Sequence, residues 1–216
     1  MRALVVGDSG GLGAALAAAL RERGEVVGVS RRDGLDLRDG AAVDRVLAAL
    51  DGPFDALWVA TGILAPPGRR PEKALRELEA AAFAEVLAVN ATGPALVLRH
   101  APRLLPRRGR SVVGVLSARV GSIADNVLGG WHAYRASKAA LNMVVRGAAI
   151  ELARSHPEAV VAALHPGTVD TPFTAAYAPP YDKLAPEEAA RRLLAVMDGL
   201  RETGSFRDHR GEPVPW

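Results

Sequence analysis

Apolar residues along this chain recur with two different periods that take turns from one end to the other. Short continuous runs at Ala3–Gly7, Glu25–Ser30, Phe54–Ala60, Arg110–Leu116 and Glu158–Leu164 read as buried parallel strands, and Ser205–Arg207 as a short edge strand. Between them lie stretches of helical period: Ala14–Arg23, Ala41–Leu50, a long one from about Ala80 to Leu105, 131–152, and Pro186 to about Leu200. Asp39 is a candidate N-cap for the second helix, Asp51-Gly52-Pro53 stops it, and Pro71-Glu72 opens helical sequence. Leu35-Asp36-Leu37 is compressed: with the third strand placed there, no room is left for a full helix between the second and third strands, and Phe54–Ala60 counts as the fourth. Strands alternating with helices predict an α/β fold built on a parallel sheet.

The chain is organised around residues 131–152. Ala133, Ala136, Ala140, Leu141, Val144, Val145, Ala148, Ala149 and Leu152 mark the apolar face of one helix. Tyr134 and Lys138, four apart, project from one side of it and address one small volume. An ammonium roughly 7 Å from a phenolate at an effective dielectric of about 20 stabilises it by about 2.4 kcal/mol. That predicts a phenol roughly 2 units below the usual tyrosine value, near enough to neutrality for acid–base work. A tyrosine and a lysine at this spacing are commonly just a packed ring and a solvated amine, so the pair gains meaning only from what surrounds it.

The first strand ends in Gly7-Asp8-Ser9-Gly10-Gly11-Leu12-Gly13 and runs into a helix. Glycines there let the backbone approach a pyrophosphate, and the helix start offers free N–H groups. The second strand ends in Ser30-Arg31-Arg32, where an acid would grip a ribose hydroxyl and arginine accommodates a 2′-phosphate. Asp33, about 20 residues after the last glycine, is the rival ribose acid but lies past that strand end. Within the long helical stretch, Pro94 leaves the carbonyl of Asn90 without its backbone partner, so a kink that can hold a water is expected. Ser117 ends the fifth strand, and His165-Pro166-Gly167-Thr168-Val169-Asp170-Thr171-Pro172 follows the sixth; ligands of doubly wound sheets lie beyond such ends.

Composition narrows the classes. A chain of 216 residues with 49% apolar and 24% charged residues is the size and balance of one globular domain. No continuous apolar run reaches membrane length, and the start lacks signal-peptide architecture. Without cysteine there is no disulfide or thiolate chemistry, which suits a cytoplasmic protein, and no metal site is expected. Net charge is +3, carried mainly by arginines scattered among acids, without the basic stripe and interleaved aromatics of a nucleic-acid surface.

Taken together, Gly7-x-x-x-Gly11-x-Gly13, Asn90 within Asn-Ala-Thr-Gly-Pro, Ser117, Tyr134-x-x-x-Lys138 and Pro166-Gly167 resemble the short-chain dehydrogenase/reductase family, in its order and over nearly the whole chain. Gly121-Ser-Ile-Ala-Asp-Asn and the terminal Pro-Trp are similar to the C-factor (cell–cell signalling protein) branch. The resemblance implies a single Rossmann domain over 1–216, a doubly wound parallel sheet of about seven strands with helices on both faces. It implies hydride transfer between NADP(H), preferred over NAD(H), and a small carbonyl or alcohol. Tyr134 would move the proton, Lys138 would lower its pKa and hold the nicotinamide ribose, Ser117 would bond the substrate oxygen, and Asn90 would anchor a water through its main chain. The dinucleotide would meet Gly7, Ser9, Gly10, Gly11, Leu12 and Gly13, then Ser30, Arg31 and Arg32, Asp36 and Leu37 at the adenine, Ala60, Thr61 and Gly62, and Pro166, Gly167, Thr168, Val169 and Thr171.

Two departures from the family pattern stand out. Val59-Ala60-Thr61-Gly62 replaces the usual asparagine-containing turn, and Ser117 precedes Tyr134 by 17 residues, more than is usual, with Ser122 a rival at 12. The short segment from Thr171 to Pro186 predicts a small lid. A homodimer or homotetramer is expected on resemblance, through the helices around 80–105 and 131–154. The alternative from another class is a nucleotide-binding signalling or redox-sensing protein with little turnover.

Overall fold

The computed structural model describes residues 1–175 and 182–216. In chain order the elements are β1 (Arg2–Val6), α1 (Gly11–Arg21), β2 (Glu25–Val29), α2 (Gly40–Ala48), β3 (Ala56–Val59), α3 (Ala80–Leu87), α4 (Gly93–Leu98) and α5 (Ala101–Leu104). Then follow β4 (Ser111–Leu116), α6 (His132–Leu152), β5 (Ala159–His165), α7 (Pro186–Gly199) and β6 (Ser205–Asp208).

All six strands pair in parallel in the order β2-β1-β3-β4-β5-β6. The chain moves outward from β1 to β2, returns to the other side of β1 with β3, and then proceeds outward in the opposite direction. That reversal opens a crevice between the carboxyl ends of β1 and β3, where ligands of such sheets bind.

Alternate residues of each strand feed two apolar layers. Leu57, Val59, Val113 and Val115 face one layer, closed by residues of α2, α4 and α6. Ala56, Trp58 and Leu116 face the other, closed by α1 and α7. Each fully buried Leu, Val or Phe contributes about 1.5–3 kcal/mol of transfer free energy, so the strands are fixed in register by both faces at once. Gly114 lies under the Trp58 ring, where a Cβ would come within 2.7 Å of it.

Some expectations are corrected. The strand expected around 35–37 does not form, so the sheet has six strands among the described residues against the about seven expected: Leu35 and Leu37 are buried, but Asp36 bonds Arg38 and Gly34 turns the chain at φ 80°. The long helix is not continuous α-helix: a π-helical turn, Ala88–Thr92, precedes Gly93-Pro94 and absorbs the mismatch the proline creates. The helical run Ala80–Leu98, 19 residues, has the length and mean hydropathy of a membrane span, although Glu85 and Asn90 interrupt its apolar sequence. In this fold it packs on α6 and carries the fully buried Asn90. The helix starts also move: α1 begins at Gly11, inside the glycine turn.

Candidate active site

The glycine turn is shaped by close approaches. Gly7 stands at φ 96°, and a Cβ there would fall 2.8 Å from Thr61 Cγ2 and 2.9 Å from the Ala60 carbonyl. Gly13 packs on the Gly7 carbonyl, with 2.1 Å left for a Cβ. The α1 N-terminus has no side-chain cap and no acid in its first turn, and Ser9, Gly10 and Gly11 are exposed. Its first N–H groups and positive dipole end therefore face the crevice uncompensated.

Contacts lead from this turn to both ends of the candidate chemistry. On one side Gly7 touches Thr61, and the next residue, Gly62, lies where a Cβ would be 3.3 Å from Asn90 Oδ1 and 3.6 Å from Lys138 Nζ. On the other side a Cβ on Gly11 would be 2.7 Å from Thr171 Cγ2. Two residues on, the Phe173 ring stands 6.0 Å from that of Tyr134. The loop after β5 is folded by Gly167 at φ 79° and by a bridge of Val169 to Leu184, in which the Leu184 N–H donates to the Thr168 carbonyl and the Asp170 N–H to the Leu184 carbonyl. Part of the expected lid, 176–181, lies outside the described residues.

Tyr134 occupies the first turn of α6, with its ring 6.2 Å from Trp131 in an edge-on arrangement. Trp131 is the N-cap in a left-handed conformation, φ 50°, reached through Gly129 and Gly130, both at φ 64°. Two neighbours stabilise that costly geometry. Glu72 accepts the Trp131 N–H at its carbonyl (2.5 Å) and the Ala133 N–H at its carboxylate (3.3 Å). The Arg135 guanidinium donates to the carbonyls of Gly129, Gly130 and Val120.

The electrostatics reverse one expectation. Burial pushes the Tyr134 phenol above its ordinary value, and Lys138 does not lower it. The amine lies over the ring, 5.9 Å from its centre, and donates to the Leu116 carbonyl at 2.9 Å. Burial brings the amine itself down to about 8. Desolvation outweighs charge–charge attraction because the two groups are covered by Trp131, Phe173 and the end of β4.

Asn90 is locked from the side: its carboxamide accepts from the Ile63 N–H and donates to the Ile63 carbonyl, both at 2.8 Å, and donates to Ser137 Oγ at 3.0 Å. Ser137 in turn donates to the Tyr134 carbonyl at 2.8 Å. Ser117 donates to Asn142 Oδ1 at 2.6 Å, and Asn142 donates to the Gly121 carbonyl at 3.3 Å. Ser122 accepts the Asp125 N–H and meets the Trp216 carbonyl. Neither serine hydroxyl bonds Tyr134. Sequence reading passed over Ser137, Asn142 and Glu72. The first two carry a signal in hindsight, one turn after Tyr134 and one turn after Lys138 on the same helix.

At the far end, Arg31 and Arg32 are exposed, while Asp33 turns back on Ser30, accepting its N–H at 2.8 Å and its hydroxyl at 3.2 Å. Asp36 is held by Arg38, which brings its carboxyl down to about 2, and Leu37 packs against Gly93. Among the described residues there is no cluster of three metal-ligating side chains.

With the site in view, the relationship to known proteins is direct. A family model described as enoyl-(acyl carrier protein) reductase matches residues 33–198. The chain is 41% identical over 150 residues to the C-signal of Myxococcus xanthus, covering 66% of this chain and 84% of that protein. It is 28% identical over 232 residues to the 1-hydroxy-2-glutathionyl-2-methyl-3-butene dehydrogenase of Rhodococcus sp. (strain AD45), covering 99% and 98%. Among solved structures, a short-chain dehydrogenase/reductase from Burkholderia multivorans with bound NADP superposes with a TM-score of 0.85 at 30% identity, over 100% of this chain and 99% of that one. The chain belongs to the short-chain dehydrogenase/reductase family of oxidoreductases.

Proposed function

We propose that residues 1–216 act as one NADP(H)-dependent oxidoreductase unit that moves a hydride between the nicotinamide and a small carbonyl or alcohol, with Tyr134 as general acid and base. The observation that carries the reading is the meeting of the Lys138 amine, the Asn90 carboxamide and Gly62 at the end of the glycine-lined crevice. A dinucleotide fits the residues present. The α1 N-terminus is free for a pyrophosphate, Thr61 Oγ1 and Asp8 Oδ1 are buried polar atoms without partners, and Arg31 and Arg32 are exposed beside the end of β2 for a 2′-phosphate. The NADP-bound relative supports that choice of dinucleotide.

When bound, the nicotinamide supplies or takes the hydride. Tyr134, neutral at physiological pH because it is buried, holds the proton for the carbonyl oxygen. Lys138 holds a positive charge over the ring and, close to neutrality, can return a proton to it. Asn90 fixes the Ile63 backbone beside that amine and anchors, through its main chain, a water leading toward solvent. Ser117 reaches the substrate oxygen by exchanging its Asn142 acceptor for it. A homodimer or homotetramer is proposed through α4 and α6, whose outer faces form a groove of about 340 Å³ flanked by the exposed Met143 and Ile150.

The similarity to the C-signal favours a second reading, a nucleotide-binding signalling protein. A panel of aldehydes, ketones and alcohols, assayed by the absorbance of the reduced cofactor, separates the two. Turnover of any carbonyl with NADPH is the expected result. Cofactor binding with no turnover across the panel would contradict the enzyme reading and support the second.

A further inference from the structure

Asp8 follows the first glycine of the turn and borders the dinucleotide crevice. Its Oδ1 is buried and has no hydrogen-bond partner, and it forms no ion pair among the described residues. An unpaired buried carboxylate oxygen is costly, so a fold keeps one where something completes it.

The carboxylate has a built seat. It lies over Gly28 of β2, where a Cβ would come 2.2 Å from Oδ2 and 2.6 Å from Cγ. Any other residue at 28 would expel it. The Gly7 N–H donates to the Val29 carbonyl at 2.8 Å, which pins the turn to the end of that strand. Gly28 and Ser30 are two apart on extended chain and so share a face. The end of β2 is where an acid would take a ribose hydroxyl, and there the chain has Ser30. The nearby Asp33, past the strand end, turns one carboxylate oxygen, Oδ2, back onto Ser30. The acid missing from the strand end is thus present on the adjacent turn, seated over the same face.

We propose that Asp8 reads the adenosine ribose of the bound dinucleotide: its part-exposed carboxylate accepts a ribose hydroxyl, and the same charge repels a 2′-phosphate. Asp8 then opposes Arg31 and Arg32 and sets how far NADPH is preferred over NADH. This deepens the cofactor reading above and rests on it. The protein uses both dinucleotides because hydroxyl acceptor and phosphate donors flank one strand end.

The test is the dissociation constants of NADPH and NADH, by calorimetry, for wild type, Asp8→Asn, Asp8→Ala and Arg31→Ala. Asp8→Asn is expected to tighten NADPH about tenfold by removing a like-charge contact. It should weaken NADH by about threefold to tenfold, the loss of one charge-assisted hydrogen bond. Asp8→Ala should shift the ratio in the same direction, and serves if the asparagine variant fails to fold. Arg31→Ala should shift it the other way. An unchanged ratio in the Asp8 variants, or an equal loss of both dinucleotides, would overturn the assignment of Asp8 alone. Wild-type protein that binds neither would overturn the cofactor reading, and this one with it.

Discussion

The Lys138 amine stands over the face of the Tyr134 ring, 5.9 Å from its centre. One helical turn brings the two together, but burial sets their chemistry. Each is held toward its neutral form, the phenol by a raised pKa and the amine by one lowered to about 8. The helix thus carries an acid that keeps its proton and a base that readily gives one up.

Burying that amine destabilises the fold. A fall from 10.5 to about 8 corresponds to roughly 3 kcal/mol of native-state penalty. The sign follows from proton counting: below about pH 8 both states carry the proton and the penalty is full. Between there and the unfolded value the native state sheds it first, so stability rises with pH. Lys138→Met is expected to be inactive yet more stable than wild type at pH 7 by about 1–3 kcal/mol, with the gap closing above pH ~8. Urea melts of both proteins across that range check it; a gap that is absent or widens with pH contradicts it.

The same two groups set the pH dependence of turnover. A phenol with a raised pKa is a proton donor throughout the neutral range, so kcat/KM for carbonyl reduction should stay level below about 8 and fall as Lys138 loses its charge. Alcohol oxidation needs the phenolate and should rise with pH over the same interval. Parallel profiles in the two directions would contradict this assignment.

Ser117 spends its hydroxyl on Asn142 at 2.6 Å, and Asn142 extends the link to the loop at Gly121. Ser117→Ala should therefore lower kcat/KM by less than about tenfold, below the 10²–10⁴ typical of a group that moves the proton. It should lower stability by about 1 kcal/mol. A loss of a hundredfold or more with unchanged stability would give Ser117 a part in the proton transfer itself and contradict this.

Gly13 leaves 2.1 Å between a would-be Cβ and the Gly7 carbonyl, a backbone atom that cannot step aside without opening the turn. Gly13→Ala is expected to cost about 1–3 kcal/mol of stability and to weaken dinucleotide binding at least tenfold, measured by thermal melting and titration. Unchanged affinity would show that the turn does not hold the cofactor.

What the sequence made legible follows from the range of the forces involved. Strands β1, β3, β4 and β5 were readable because each is buried on both faces and so forms a nearly continuous apolar run. The Tyr134–Lys138 pair was readable because one helix sets its spacing. Leu35-Asp36-Leu37 has the apolar-polar-apolar alternation of a strand, yet local bonds win there: the Asp36 side chain turns to Arg38 and no neighbouring strand is formed. The left-handed Trp131 was hidden because its support comes from Glu72, far away in sequence. The direction of the Tyr134 shift was missed because spacing gives the distance between charges and says nothing of what covers them.

The most direct test is Tyr134→Phe, with turnover and cofactor affinity measured on the same preparation. Removing one hydroxyl from a ring that packs against Trp131 and Phe173 leaves the packing in place. The account predicts kcat reduced by about 10²–10⁴-fold while the dissociation constant for NADPH changes by less than about threefold. Turnover within a few-fold of wild type would contradict it.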